Sequence, residues 1–366
     1  MNLTIEKPTF IIDKAKAIRN IDKMVSKAQE NGVRLRPHFK THQSAQVGEW
    51  FRERGVDTIT ASSVDMAVYF AEHGWQDITI AFPVNLLQIK ALNELAQQVT
   101  LNLLVESVET AQRLSDSLDT DVQVYIKIDV GSNRTGRPWH DLDGITALAH
   151  AIQDAPNLSL VGLLSHAGHT YRARSKAQVV AIYDETVSRV QAVQAHLRTQ
   201  AIETVISVGD TPASSVADSY GAVDEIRPGN FVYYDLMQLQ IGACTEEEIA
   251  VAAACPVVAK HKTRGQLILY GGAVHLSKEA LKLSDGRTVY GQIALGGENG
   301  WGSLIDNAYV VGLSQEHGIV QADQALIERV QVGDLLFVLP VHSCLTANLM
   351  RHNQTLDGEM IEMMPI

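Results

Sequence analysis

LSLVGLLSHAGHTY, residues 158–171, is an apolar run that stops abruptly at histidine, glycine and tyrosine. Its first nine residues are nearly continuous in hydrophobicity rather than alternating, as in a strand covered on both faces of a parallel sheet. The same texture recurs at Arg34–Phe39, Thr58–Ser62, Asp77–Phe82, Thr100–Val105, Val122–Asp129, Thr204–Asp210 and Glu225–Tyr234. Between these runs lie stretches with helical spacing, such as Asp13–Glu30, Ser63–His73, Asn85–Gln98, Ser107–Leu118 and Lys176–Thr199. Several open on a residue suited to cap a helix, among them Asp13, Ser63, Ser107 and Asp141. Eight strands with helices between them in about 220 residues exceed what open doubly wound sheets usually hold, so the expected fold is a (β/α)8 TIM-type barrel.

After Leu236 the texture changes. Ile249–Lys260, Gln266–Tyr270, Thr288–Ala294, Asn307–Leu313 and Asp334–Val338 are short β-prone runs separated by glycine and aspartate turns, with little helical periodicity. The fold class is therefore α/β plus β, with a barrel over residues 10–235 and a smaller β-rich C-terminal domain over 236–366. The 366 residues carry 30 Lys+Arg against 42 Asp+Glu, a net charge of −12, which argues against a nucleic-acid groove or a polybasic membrane surface. Three cysteines (Cys244, Cys255 and Cys344) are an odd, sparse set that points to a reducing compartment. The N-terminus lacks a basic, then apolar, leader, and the longest nearly apolar stretch, Ile249–Ala259, falls short of the ~18 residues that span a bilayer. A cytoplasmic protein is expected.

Active sites of such barrels gather at the C-terminal ends of the strands. The candidate strands end in HFKTH (38–42), KIDVGSNR (127–134), SHAGHTY (165–171), GDTP (209–212) and RPGN (227–230), a concentration of basic, polar and glycine residues. Lys40 directly follows a buried strand, a position where desolvation can free a neutral amine for Schiff-base chemistry. The glycines and threonine of the last two segments suit a phosphate cradle. Together they suggest pyridoxal phosphate. In the β-rich part, VHSC (341–344) places His342 and Cys344 two apart, so that on an extended segment both face one way and share a cation. Imidazole plus thiolate is a zinc-type pair that leaves positions open for water or substrate. Glu316 and His317 in SQEHG (314–318) either support a site or trade protons, an exposed loop histidine being the plainer alternative.

RPHFKTH (36–42), DVGSNRTG (129–136), HAGHTY (166–171), GDTP (209–212), RPGN (227–230), SQEHG (314–318) and HSC (342–344) follow one another over nearly the whole chain. As a set they resemble the D-serine dehydratase and D-threonine aldolase family, whose barrel is of the alanine racemase type, fold type III among pyridoxal phosphate enzymes. The resemblance implies that Lys40 carries the cofactor, that Arg134 lies beside its phenolate oxygen and that Tyr171 sits near its pyridine nitrogen. Gly209, Thr211, Gly229 and Asn230 would hold the phosphate. His342 and Cys344 would bind zinc or another divalent cation such as manganese, and His317 is a further catalytic candidate. It also implies that residues 1–9 join the β-rich domain and that a homodimer completes each site.

A tyrosine at the ring nitrogen leaves the pyridine unprotonated and a weaker electron sink, so a Lewis acid on the departing group has chemical value. The expected function is thus β-elimination from a β-hydroxy-D-amino acid, with Lys40 taking the Cα proton and an oxo acid and ammonia as products. Retro-aldol cleavage to glycine and an aldehyde is the near alternative. Cys344 argues against it, since the family's aldolases tend to carry aspartate there. A racemase has no departing group to activate, and a non-enzymatic cofactor carrier is usually a bare barrel.

Overall fold

The computed structural model describes residues 4–365; residues 1–3 and 366, which the sequence reading places in the β-rich domain, lie outside the described residues. The chain divides into two compact units, one of Asp22–Lys40 and Gly48–Gly229, the other of the segment up to Ile21, Thr41–Val47 and everything from Asn230 onward. Two of the four boundaries fall inside sequence motifs, between Lys40 and Thr41 and between Gly229 and Asn230.

The first unit is an eight-stranded parallel barrel, nearly closed. Arg34–Leu35 pairs with Glu225–Ile226, and the order continues through Val205–Gly209, Leu158–His166, Val122–Asp129, Thr100–Val105, Asp77–Pro83 and Thr58–Ala61. A single bridge between His38 and Thr60 leads from the last strand back to the first. The runs are buried on both faces as their composition demands: Ile59, Ile78, Leu101, Val124, Leu163 and Ile206 are all within the core. Ser63, Ser107 and Asp141 cap the following helices by accepting the N–H of Met66, Thr110 and Gly144.

The first and eighth strands are much shorter than their apolar runs. The first yields to a 3₁₀ turn at Phe39–Thr41, and the eighth stops at Ile226 because Pro228 cannot donate to a ladder, after which Asn230–Val232 turns as 3₁₀. The shortening matters functionally, since it converts both strand ends into turns that carry Lys40 and Gly229.

Inside the barrel a buried polar chain links several strands. Arg36 donates to Glu225 at 2.7 Å and to Asp77 at 2.6 Å; Ser207 bridges Glu225 at 2.6 Å and Arg227 at 2.7 Å. Arg227 also donates to the carbonyl of Ser165. A guanidinium this deep stays charged because carboxylates face it from two sides.

The second unit is built on a nine-stranded sheet. Gln266–Tyr270, His317–Gln321, Gly300–Leu313, Gly291–Gly297, Leu335–Pro340 and Val251–His261 pair in that order, and the first of these pairs back with the last. Closure of this ring removes exposed strand edges. Thr9–Ile12 then adds to Val251–Ala254 antiparallel and to Asn353–Thr355 parallel. The β-rich expectation holds, except that the metal-pair segment is helical: Ser343–Met350 forms two turns, too short to leave a periodic signature. Among the described residues no helix is long and apolar enough to cross a membrane.

Candidate active site

In the barrel unit, the loop after the fifth strand is folded by one carboxylate. Asp129 Oδ1 accepts the N–H groups of Gly131, Ser132 and Asn133 at 2.9, 2.9 and 3.1 Å, which sets the direction of the chain into Arg134. Gly136 closes the loop with φ +108°, where a Cβ would lie 2.7 Å from the Asp129 nitrogen. Only glycine fits there.

After the sixth and seventh strands, Thr170 Oγ1 donates to Asp210, which also accepts the Ala213 N–H at 2.7 Å. Burial pushes the Asp210 carboxyl up to about 6 despite those bonds. The Thr211 N–H donates to the Tyr171 hydroxyl at 3.4 Å, and the Gly229 N–H donates to Thr211 Oγ1 at 3.3 Å. Tyr171, Thr211 and Gly229 are thus brought together. Gly209 has a different local reason: a Cβ there would come within 3.0 Å of the Arg227 guanidinium.

Lys40 is exposed in its turn, so the expectation of an amine desolvated by the preceding strand is not met within this unit. Burial falls instead on its neighbours. His38 Nδ1 accepts the Lys40 backbone N–H at 3.4 Å. Desolvation, then the charges of Lys40 and Arg227, hold the His38 imidazole well below its ordinary range; desolvation, Lys40 and Arg134 do the same to His166. Burial followed by Arg227 and Arg134 pushes the Lys127 ammonium down to about 7. The two imidazoles, held toward their neutral form, sit near Lys40, Arg134 and Arg227, with Lys127 close to losing its proton, a setting that suits an anionic ligand. With the Tyr171–Thr211–Gly229 cluster, this arrangement fits a pyridoxal phosphate, whose phosphate and phenolate are both anionic.

In the second unit, the structure brings His342 and Cys344 together, but not on an extended segment. His342 precedes the helix as its N-cap residue, and Cys344 lies in the first turn, at the end of the helix dipole that favours an anionic sulfur. The two side chains share a hydrogen bond. Burial opposes a charged His342, yet Cys344 and then Glu279 and Asp235 overcome it and push the imidazole upward. Cys344 Sγ meets Thr41 Oγ1 at 3.2 Å and receives Asn230 Nδ2 at 3.6 Å.

Asn230 Nδ2 also donates to Asp235 at 2.8 Å and to Ser343 Oγ at 2.7 Å. Its side-chain nitrogen is thus engaged beside Cys344. Among the described residues no set of three or more His, Cys, Asp or Glu side chains is placed to hold a metal ion. The donor set stops at one imidazole and one thiolate, a pairing that fits zinc better than magnesium or calcium.

His317 is exposed at the start of its strand, opposite Tyr270 in register. The partner inside that motif is Glu316, which lies 3.9 Å from His275 Nε2. Sequence reasoning gave no role to His38, His166, Lys127, Asp235 or Glu279. The first three stand in or beside the motifs and were legible as residues, though not as a charge cluster. Glu279 lies 63 positions before His342, and no spacing rule joins them.

Comparisons with known proteins follow the same division. The family model for the alanine racemase N-terminal domain matches residues 12–236, and that for a serine dehydratase domain matches 250–355. The chain is similar to D-threo-3-hydroxyaspartate dehydratase of Delftia sp. (strain HT23), with 31% identity over 94% of this chain and 92% of that protein. It is 26% identical to a D-serine dehydratase of Dictyostelium discoideum, over 94% of this chain and 91% of the other. The solved structure of the Delftia dehydratase superposes with a TM-score of 0.90 at 27% identity, covering 98% of both chains.

Proposed function

We propose a function on one premise: the chain belongs to the alanine racemase-type, fold type III family of pyridoxal phosphate enzymes that includes the D-serine dehydratases. On that premise it is a lyase acting on β-hydroxy-D-amino acids, dependent on pyridoxal phosphate and on zinc, and it releases an oxo acid and ammonia by β-elimination. The observation that carries this reading is the convergence of His342 and Cys344. A racemase has no use for a metal pair.

When bound, pyridoxal phosphate supplies an electron sink for charge developing at Cα, and the metal supplies a Lewis acid for the departing β-hydroxyl. Lys40 would hold the cofactor, and its Nζ would be the base for the Cα proton. Tyr171, Thr211, Gly209, Gly229 and the Asn230 backbone would hold the cofactor, and Arg134 would counter its negative charge. His38 and His166, kept neutral by burial and by the cations around them, crowd the site without adding positive charge. His342 and Cys344 bind the metal; His317 is assigned a proton-transfer role outside that pair. The three cysteines are buried and none is in a disulfide, which suits the cytoplasm. A homodimer is proposed from the family resemblance and is read directly by light scattering.

Product analysis with D-threonine tests the reading, because one substrate separates the two cleavages. 2-Oxobutanoate and ammonia, formed with pyridoxal phosphate and zinc and lost on chelation, are expected. Glycine and acetaldehyde would make the enzyme an aldolase in spite of Cys344. Repetition with D-serine and with 3-hydroxy-D-aspartate then ranks the substituent at Cβ.

A further inference from the structure

Glu279 is a carboxylate hydrogen-bonded directly to the metal pair. Its Oε2 accepts the Nδ1–H of His342 at 2.8 Å, and both side chains are largely shielded from solvent. A histidine whose Nδ1 is tied in this way keeps its proton there and turns the Nε2 lone pair away, toward a ligand position.

The segment that carries Glu279 is itself fixed from three sides. At its start, Gly272 packs so closely on the Ser314–Gly318 turn that a Cβ would lie 2.4 Å from the Gln315 carbonyl oxygen. The Ala273 N–H donates to the Ser314 carbonyl at 2.8 Å. In the middle, the Leu276 carbonyl accepts from Thr346 Oγ1 at 3.3 Å, which ties the segment to the helix bearing Cys344. At its end Ser277 takes a left-handed φ of 68°, unusual for a residue with a side chain, and its Oγ accepts the Glu279 N–H at 3.2 Å. Constraint of this kind on a carboxylate is what a preorganised metal ligand requires.

We infer that Glu279 is a positioning residue for the metal: it fixes the tautomer and the direction of His342, and the Ser314–Gly318 turn anchors the segment that presents it. This deepens the proposed function and rests on its assignment of His342 and Cys344 as metal ligands. It also gives SQEHG a structural task that the exposed His317 does not perform.

The test uses the full chain loaded with pyridoxal phosphate, as wild type, Glu279→Ala, Glu279→Gln and His342→Ala. Zinc affinity is read by competition with a chromophoric chelator, and the cobalt-substituted forms are compared by their thiolate-to-cobalt charge-transfer band. The expected result is loss of stoichiometric zinc in His342→Ala and a roughly 10- to 100-fold weaker affinity in Glu279→Ala. Glu279→Gln, whose amide oxygen still accepts from Nδ1, falls between, and the cobalt band shifts in both Glu279 variants while the metal-free proteins melt together. If His342→Ala loses zinc but both Glu279 variants bind zinc like the wild type, the positioning role is overturned and the metal site stands. If His342→Ala binds zinc unimpaired, the site assignment fails and takes this inference with it.

Discussion

Lys40 shows how much a single residue can say and where it stops. Its place after a buried run and inside RPHFKTH made it the candidate to hold the cofactor, yet the structure leaves its side chain exposed, buries Lys127 and half-buries His38 and His166. The amine is thus set among charged neighbours rather than walled off by apolar ones. Lys40→Ala is expected to abolish the borohydride-reducible bond to pyridoxal phosphate and to lower kcat by on the order of 10³-fold or more, since the proposed function gives one amine both tasks, holding the cofactor and taking the proton. An absorbance titration with the cofactor and a rate assay check both. Residues such as Tyr171, Thr211 and Gly229 were legible because each lies in a short motif at a strand end. Glu279 was not, because its meaning exists only through a fold that brings it to His342 across 63 residues.

At the scale of elements, the sequence located strands better than it located their ends. Six of the eight barrel runs match to within a residue, because continuous burial leaves a clear mark. The first and eighth runs overshoot, because Phe39, Phe231 and Tyr233 are buried in turns and read as strand by hydrophobicity alone. The helix after His342 was missed for the opposite reason, its two turns giving no period to detect. That helix is clamped by Asp235, which accepts the N–H of Ser343 at 2.9 Å, the N–H of Gln238 at 3.0 Å and the Asn230 side chain. Removing it leaves three buried donors unsatisfied, each a cost of its own. Asp235→Ala is expected to lower unfolding stability by about 2–4 kcal/mol in urea melts, and to loosen zinc as the helix start shifts.

At the scale of the molecule, buried titratable groups set the response to acid. Burial holds His42 down to about 3, and burial with surrounding cations holds His38 and His166 well below the ordinary value of about 6.5. Above pH 6.5 these imidazoles are neutral in both folded and unfolded chains and exert no slope. As the pH falls below 6.5 the unfolded chain takes up protons that the folded chain refuses, so stability is lost progressively toward the folded values. Asp210 acts in the other direction: its carboxyl is raised to about 6, so it binds a proton in the folded state first and adds stability as the pH falls through 6 toward 4. Asp235, whose carboxyl burial also raises, acts with Asp210, and the three imidazoles outnumber the two carboxyls. The protein freed of pyridoxal phosphate is therefore expected to lose stability between pH 6.5 and 5, at no more than about 1.4 kcal/mol per pH unit for each histidine. Bound cofactor, by countering the charges of Lys40, Arg134 and Arg227, should flatten the part owed to His38 and His166 but not the part owed to His42. Urea melts at pH 7, 6 and 5, with and without cofactor, read both effects. His42→Asn, which keeps an acceptor for the Ser44 N–H that His42 Nδ1 now binds at 3.1 Å, should remove the cofactor-independent remainder of the slope. A slope unchanged in that variant would mean that acid enters the fold somewhere other than these three imidazoles.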